Sequence, residues 1–221
     1  QRRPPAPAAA LTAGGRPAEL YLTPSPEYNR AVPKPRILVH VCCAPDAAYV
    51  IDLLKDGYEV AAFFYNPNIH PVEEYHLRLA DARKVARDLG VILVEGLYDE
   101  ARWLALTRKF KEEPEKGRRC DVCYAIRLEQ TAVAAANRDF DAFTTVMSLS
   151  PWKKAAVLNR IGRMFGRRHS VAFLEADFKK KDGFRKSVAL SRSMNLYRQN
   201  YCGCIYSLSA ARGRSRGPDK A

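Results

Sequence analysis

Six cysteines carry the reactive chemistry of this chain, and they come as three tight pairs: Cys42-Cys43, Cys120-x-x-Cys123 and Cys202-Gly-Cys204. About 80 residues separate each pair from the next. An even count can mean a secreted disulfide framework, but adjacent cysteines rarely bond each other because the ring is strained. Close pairs in an α/β chain read better as metal or redox sites. Cys120 and Cys123 stand at i and i+3 near the start of a helix, so both thiols share one face, and Arg118, Arg119 and the helix N-terminus favour their thiolate forms. Four thiolates suit zinc or an iron–sulfur cluster equally well. Six thiols with a carboxylate nearby, Asp46 in "HVCCAPD", point to more than one metal-binding or redox unit. The plain alternatives are core cysteines and a helix-capping aspartate.

The elements that position these pairs are legible along the chain. "RILVHV" (36–41) reads as a buried strand and "DAAYVIDLLKDG" as a helix. "YEVAAFFYN", "VILVEGLY", "AFTTVMSLS" and "VAFLEAD" supply four more strands. Between them lie helices over "HPVEEYHLRLADARKVARDLG", "EARWLALTRKF", "CDVCYAIRLEQTAVAAANRDF" and "PWKKAAVLNRIGRMFGRRH". Alternation of this kind predicts an α/β fold: a mainly parallel, doubly wound sheet, Rossmann-like or HUP-like, with helices on both faces. Residues 35–208 make one catalytic domain. Residues 1–34, rich in Pro, Ala and Arg, read as a loosely docked or disordered arm, and 209–221 as a basic tail.

Ligands of such sheets bind beyond the carboxyl ends of the strands, at the switch in strand order. "CCAPD", "YNPNIHP" and "SLSPWKK" all follow strands, so the fold gathers them on one rim. A Gly-rich phosphate loop is missing after the first strand, which argues against ATP or NAD as the central ligand.

The net charge of +13 favours a polyanionic partner. Lys153, Lys154, Arg160, Arg163, Arg167 and Arg168 crowd one acid-free stretch, and Lys179–Lys181, Arg185 and Lys186 another. Phosphate contacts are expected at Lys153, Lys154, Arg167 and Arg168, with a solvated helix face as the bland alternative. Trp152, Phe178, Phe184 and Tyr197 are candidates for stacking on bases. No apolar run approaches the roughly 18 residues of a membrane span, and the opening residues lack an apolar leader, so a cytoplasmic protein with no membrane partner is expected.

Together, "HVCCAPD", "YNPNIHPVEEYHLR", "CDVCYAIRL" and "DFKKKDGFRKSVALSRSMNLYRQNYCGCIYS" resemble the cobalamin-independent epoxyqueuosine reductase family, in order over about residues 36–208. The resemblance implies reduction of the cyclopentane epoxide of epoxyqueuosine to the cyclopentene of queuosine at the wobble position of tRNA, the last step of queuosine biosynthesis. It also implies a [4Fe–4S] cluster, for which Cys42, Cys43, Cys120 and Cys123 are the expected ligands. Many members carry a third cysteine where this chain has Asp46.

Deoxygenating an epoxide consumes two electrons and two protons, and a single cluster passes one electron at a time. A second unit is therefore expected from Asp46, Cys202 and Cys204: an additional mononuclear iron, or a redox-active disulfide between Cys202 and Cys204. Tyr65, His70, Tyr201 and Asp46 are candidate proton donors. An electron donor is required, of unidentified nature. Two other classes remain open: another thiolate-cluster enzyme acting on tRNA, and a zinc- or cluster-stabilised tRNA-binding protein without catalysis.

Overall fold

The computed structural model describes residues 33–214. The arm expected at 1–34 and the end of the basic tail fall outside the described residues, except for the positions next to the domain. Five parallel strands form one sheet in the order β3-β2-β1-β4-β5: β1 Arg36–His40, β2 Glu59–Phe64, β3 Ile92–Glu95, β4 Ala142–Thr145 and β5 Ala172–Phe173. β1 sits at the centre. Its Ile37, Leu38 and Val39 have no exposed surface, the mark of a strand covered on both faces.

Seven α-helices complete the domain: α1 Ala44–Leu54, α2 Val72–Asp88, α3 Glu100–Thr107, α4 Arg118–Ala136, α5 Ala155–Arg168, α6 Gly183–Ser193 and α7 Ile205–Arg214. α1 packs with α2 and α6. α4 packs with α3 and α5 and lies along β1 and β4. The α/β, doubly wound architecture expected from the alternation is thus present. The boundary expected after residue 208 falls inside α7.

Three elements differ from the sequence reading, the first two in ways that shape the site. The apolar run 142–150 does not continue as strand past Thr145. The Thr145 hydroxyl accepts the Met147 N–H at 3.2 Å and curls Val146–Leu149 into a 3-10 turn. The helix expected from Pro151 starts only at Ala155, leaving Ser150–Lys154 as a turn over the sheet's carboxyl edge. The last expected strand shrinks to Ala172–Phe173, since an edge position offers pairing to β4 alone.

The sheet reverses order between β1 and β4, and buried His40 pins that place. With Nδ1 accepting, the ring takes the Thr145 hydroxyl proton at 3.0 Å on β4, while Nε2–H donates to the Tyr65 carbonyl at 3.2 Å just past β2. Burial, reinforced by the charges of Arg127 and Lys153, holds this imidazole well below its usual range, hence neutral. Three adjacent strand ends are locked together by one side chain.

Candidate functional site

Beyond His40 the chain leaves the sheet, and Val41 N–H still donates to Phe63 O at 2.9 Å. Cys43 then adopts extended backbone as the N-cap of α1, with Pro45 in the first turn, where no amide proton is missed. Asp46 is therefore not the cap, and its carboxylate is free for another use. One oxygen of Asp46 and the sulfurs of Cys42 and Cys43 lie within 4.8 Å of one another, all buried. Burial raises the Asp46 carboxyl to about 6, the Cys42 charge adding to it and Lys153 opposing. A hydrogen bond from Cys43, with the charges of Lys153, Arg127 and Arg78, holds the Cys42 thiol well below its usual range despite burial. Cys43, as the donor of that bond and itself buried, is pushed up.

The other four thiols influence one another through charge: Cys202 and Cys204 act on both Cys120 and Cys123. On α4, Cys120, Cys123, Tyr124 and Arg127 stand at i, i+3, i+4 and i+7, one helix face. Cys202-Gly203-Cys204 arrives from the C-terminal segment. Gly203 has φ +120, and a Cβ there would meet Arg78 Nη1 at 3.1 Å and Ile69 at 3.2 Å, so glycine is required. Burial raises Cys120, Cys123 and Cys204, with Cys123 reaching about 12, and charge on Cys202 adds to all three. Two of these sulfurs already carry backbone donors: Lys116 N–H to Cys120 Sγ at 3.2 Å and Ser207 N–H to Cys204 Sγ at 3.4 Å. All six cysteines are free thiols.

Asp46 stands with Cys42 and Cys43. The charge of Cys202 acts on Cys120 and Cys123, and also on Arg127 and Lys153, which feel Cys42 as well. Arg78 anchors the CxC segment to α2. Its buried guanidinium donates to Cys202 O at 3.1 Å and Tyr201 O at 3.2 Å, while Nε holds Glu74 at 2.7 Å. His70 N–H adds a bond to Gly203 O at 2.7 Å. Arg78→Met leaves Glu74 buried without its counter-charge and frees the loop. A loss of about 3–5 kcal/mol is expected in denaturant unfolding, with lower cysteine-bound metal in the folded fraction.

Two cations, Arg127 and Lys153, feel the charges of both Cys42 and Cys202. Arg127, fully buried, donates to Asn66 Oδ1 and Asn68 Oδ1, each at 3.3 Å, and to the Met147 sulfur. Burial opposes its charge, but Cys123, Cys42 and Cys202 outweigh that and raise it. Lys153 behaves alike: burial of its ammonium is outweighed by Cys202, Cys42 and Tyr124, which hold it well above its usual range. Lys153 was expected on the surface. The turn at Ser150–Lys154, in place of a helix, aims it inward. Tyr124, buried, is raised by desolvation and by the charges of Cys120, Cys202 and Cys123, so it keeps its proton. The helix-face spacing from CxxC was the signal for Tyr124 and Arg127; nothing in a run of lysines marks Lys153 as the inward one.

The remaining candidates scatter. Lys154, Arg160 and Arg167 face solvent, and among the described residues no carboxylate lies within ion-pair distance of them. Arg168 is tied to Glu129 at 3.2 Å. Trp152 is exposed, whereas Phe178 is buried, Phe184 is half-buried under Arg198, and the Tyr197 hydroxyl bonds Glu74 at 3.1 Å. Of the proton-donor candidates, Tyr201 spends its hydroxyl on the His70 carbonyl. His70 Nδ1 meets Asn68 O at 2.7 Å and Nε2 lies 2.9 Å from Glu100. The Tyr65 ring stacks on Phe63, and its hydroxyl faces Arg102 and Asp99 rather than a thiol.

Residues 37–210 match the family model described as epoxyqueuosine reductase QueH. Curated relatives of that name include one from Streptococcus pyogenes serotype M1, 36% identical over 180 residues (79% of this chain, 71% of the relative). Another, from Thermotoga maritima, is 37% identical over 175 residues (78% and 90%). Among solved structures, the U34-tRNA thiolase NcsA from Methanococcus maripaludis, determined with its [4Fe-4S] cluster, superposes with a TM-score of 0.52 at 12% identity, over 83% of this chain and 64% of that one. That likeness is one of fold.

Proposed function

Because this chain belongs to the epoxyqueuosine reductase QueH family, we propose that the two thiol groups at the sheet's switch point are the machinery with which it reduces epoxyqueuosine in tRNA to queuosine. The reaction breaks both C–O bonds of the epoxide, forms the ring C=C bond and releases the oxygen as water, consuming two electrons and two protons. The observation that carries the reading is the buried Cys42, Cys43 and Asp46 triad at the sheet's switch point. The donor sets fit the implied metals. Cys120, Cys123, Cys202 and Cys204 suit a [4Fe–4S] cluster, as four thiolates with backbone donors already on two sulfurs. Two thiolates and a hard carboxylate oxygen, buried together, suit a single iron with room for substrate. When bound, the two groups supply single electrons and a Lewis acid.

The chain's own residues supply the rest. Lys153 and Arg127 hold positive charge beside the thiols, where it opposes the negative charge that develops on the departing oxygen. Tyr124 keeps a phenolic proton beside Lys153 and has no committed acceptor, unlike Tyr201. The partner is tRNA, whose anticodon loop lets the wobble base be splayed into a pocket. Reducing equivalents come from a separate donor, and the setting is the cytoplasm. Among the described residues no helix is long and apolar enough to cross a membrane.

The basic face of α5 supplies phosphate contacts in this reading, now through Lys154 and Arg167 rather than Lys153. The double variant Lys154→Ala/Arg167→Ala is expected to weaken tRNA binding and to flatten its log–log salt dependence by roughly 0.7–0.9 for each phosphate no longer neutralised. Titrations at four salt concentrations check it, and an unchanged slope returns that face to a solvated surface.

The function is tested anaerobically with epoxyqueuosine-bearing tRNA and a chemical reductant, followed by nucleoside mass spectrometry. Conversion to queuosine is expected from brown, iron-loaded protein. A colourless zinc protein that binds tRNA without converting it contradicts the reading.

A further inference from the structure

Trp152 is the most exposed aromatic ring among the described residues, at 71%. Tryptophan is enriched at interfaces, where its ring is covered by a partner. Its position narrows which one. It immediately precedes Lys153, and its neighbour Lys116 bonds Cys120 Sγ, so the ring stands beside the CxxC end of the thiol site. The turn carrying it is held firmly despite its exposure. Trp152 N–H donates to Ser150 Oγ at 3.3 Å and Lys153 N–H to Ser150 O at 3.2 Å. Lys179 Nζ, buried against the same turn, ties Ser148 O and Lys153 O, each at 3.3 Å. From the opposite side comes Lys116, whose Nζ lies 5.2 Å from the indole centroid. Lys116 also donates its backbone N–H to Cys120 Sγ, which places it at the same end of the site. Lys154, exposed, follows directly.

An aromatic plane flanked by exposed cations is the chemistry that binds a single-stranded nucleotide: the ring takes a base and the ammonium groups take phosphates. We propose that Trp152 is the stacking platform for the nucleotide next to the modified wobble position, with Lys116 and Lys154 on the adjoining phosphates. It thereby holds the loop open while the wobble base enters the cavity. This rests on the reading of the chain as an epoxyqueuosine reductase acting on tRNA. Of the four aromatic candidates in the sequence, burial and hydrogen bonding leave Trp152 as the one with a free face at this end of the site.

The test uses the iron-loaded enzyme and epoxyqueuosine-bearing tRNA, comparing Trp152→Ala, Trp152→Phe and Lys154→Ala. Loss of one stacked base is expected to weaken binding by about 5- to 150-fold in Trp152→Ala, with the salt slope unchanged, because stacking releases no counterions. The loss falls on KM more than on kcat, and Trp152→Phe restores most of it. Lys154→Ala flattens the slope instead. Wild-type affinity and KM in Trp152→Ala overturn the inference, as does loss of a dimer in that variant without loss of tRNA affinity, which would make the ring a self-association surface. Failure of the wild-type enzyme to convert the tRNA at all is a different result, and it counts against the functional reading itself.

Discussion

Asp46→Ala retains the four-iron cluster and tRNA affinity, loses about one iron per chain and loses turnover by on the order of 10²–10³-fold or more. Each part follows from where the carboxylate stands. Asp46 is in the first turn of α1 but makes no cap, since Cys43 occupies that position. Its oxygen converges with the Cys42 and Cys43 sulfurs and not with the CxxC or CxC pairs. Truncation therefore strips one ligand from the triad and leaves the four-thiol group untouched. Folding is preserved, because the variant removes a buried carboxylate whose charged form burial disfavours. Iron analysis, visible absorption and the nucleoside assay on one preparation check all three. Full iron and normal turnover in Asp46→Ala would leave the side chain without a role in the chemistry.

Lys153→Met separates charge in the cavity from charge on the tRNA surface. Its ammonium is held charged by Cys202, Cys42 and Tyr124, in spite of burial. Methionine keeps the stem's volume and removes the charge. The expected outcome is iron content, tRNA affinity and salt slope close to wild type, with kcat down by on the order of 10²-fold, the loss typical of one electrostatic group in a water-excluded site. A variant with normal kcat but weakened, salt-flattened tRNA binding would return Lys153 to the phosphate surface.

The two variants address residues of unequal legibility. β1 is readable because residues 36–41 are apolar almost throughout, as a strand buried on both faces must be. The gathering of "CCAPD" and "SLSPWKK" at one rim follows from parallel topology alone. The CxxC helix also foretells its neighbours, since Tyr124 and Arg127 continue the face of Cys120 and Cys123. The placement of the CxC segment is another matter. It depends on Arg78, on α2, reaching the carbonyls of Tyr201 and Cys202 across more than a hundred residues of chain. No local pattern encodes such an interaction. The inward turn of Lys153 is equally hidden. It arises because the Thr145 hydroxyl ends β4 early, where a run of β-branched and apolar residues suggests more strand. α6 and α7 are obscured by their basic, serine-rich composition, and α6 becomes a helix by packing on α1 rather than by propensity.

Iron retained by Cys202→Ala, measured with visible absorption and set against Cys42→Ala, tests the two-site account most directly. The predicted result is that Cys202→Ala loses most of the cluster iron and its broad absorption while keeping about one iron per chain, and that Cys42→Ala keeps the cluster and loses the single iron. A Cys202→Ala protein that keeps its full cluster, beside a Cys42→Ala protein that loses it, would contradict the account and assign the cluster to Cys42, Cys43, Cys120 and Cys123.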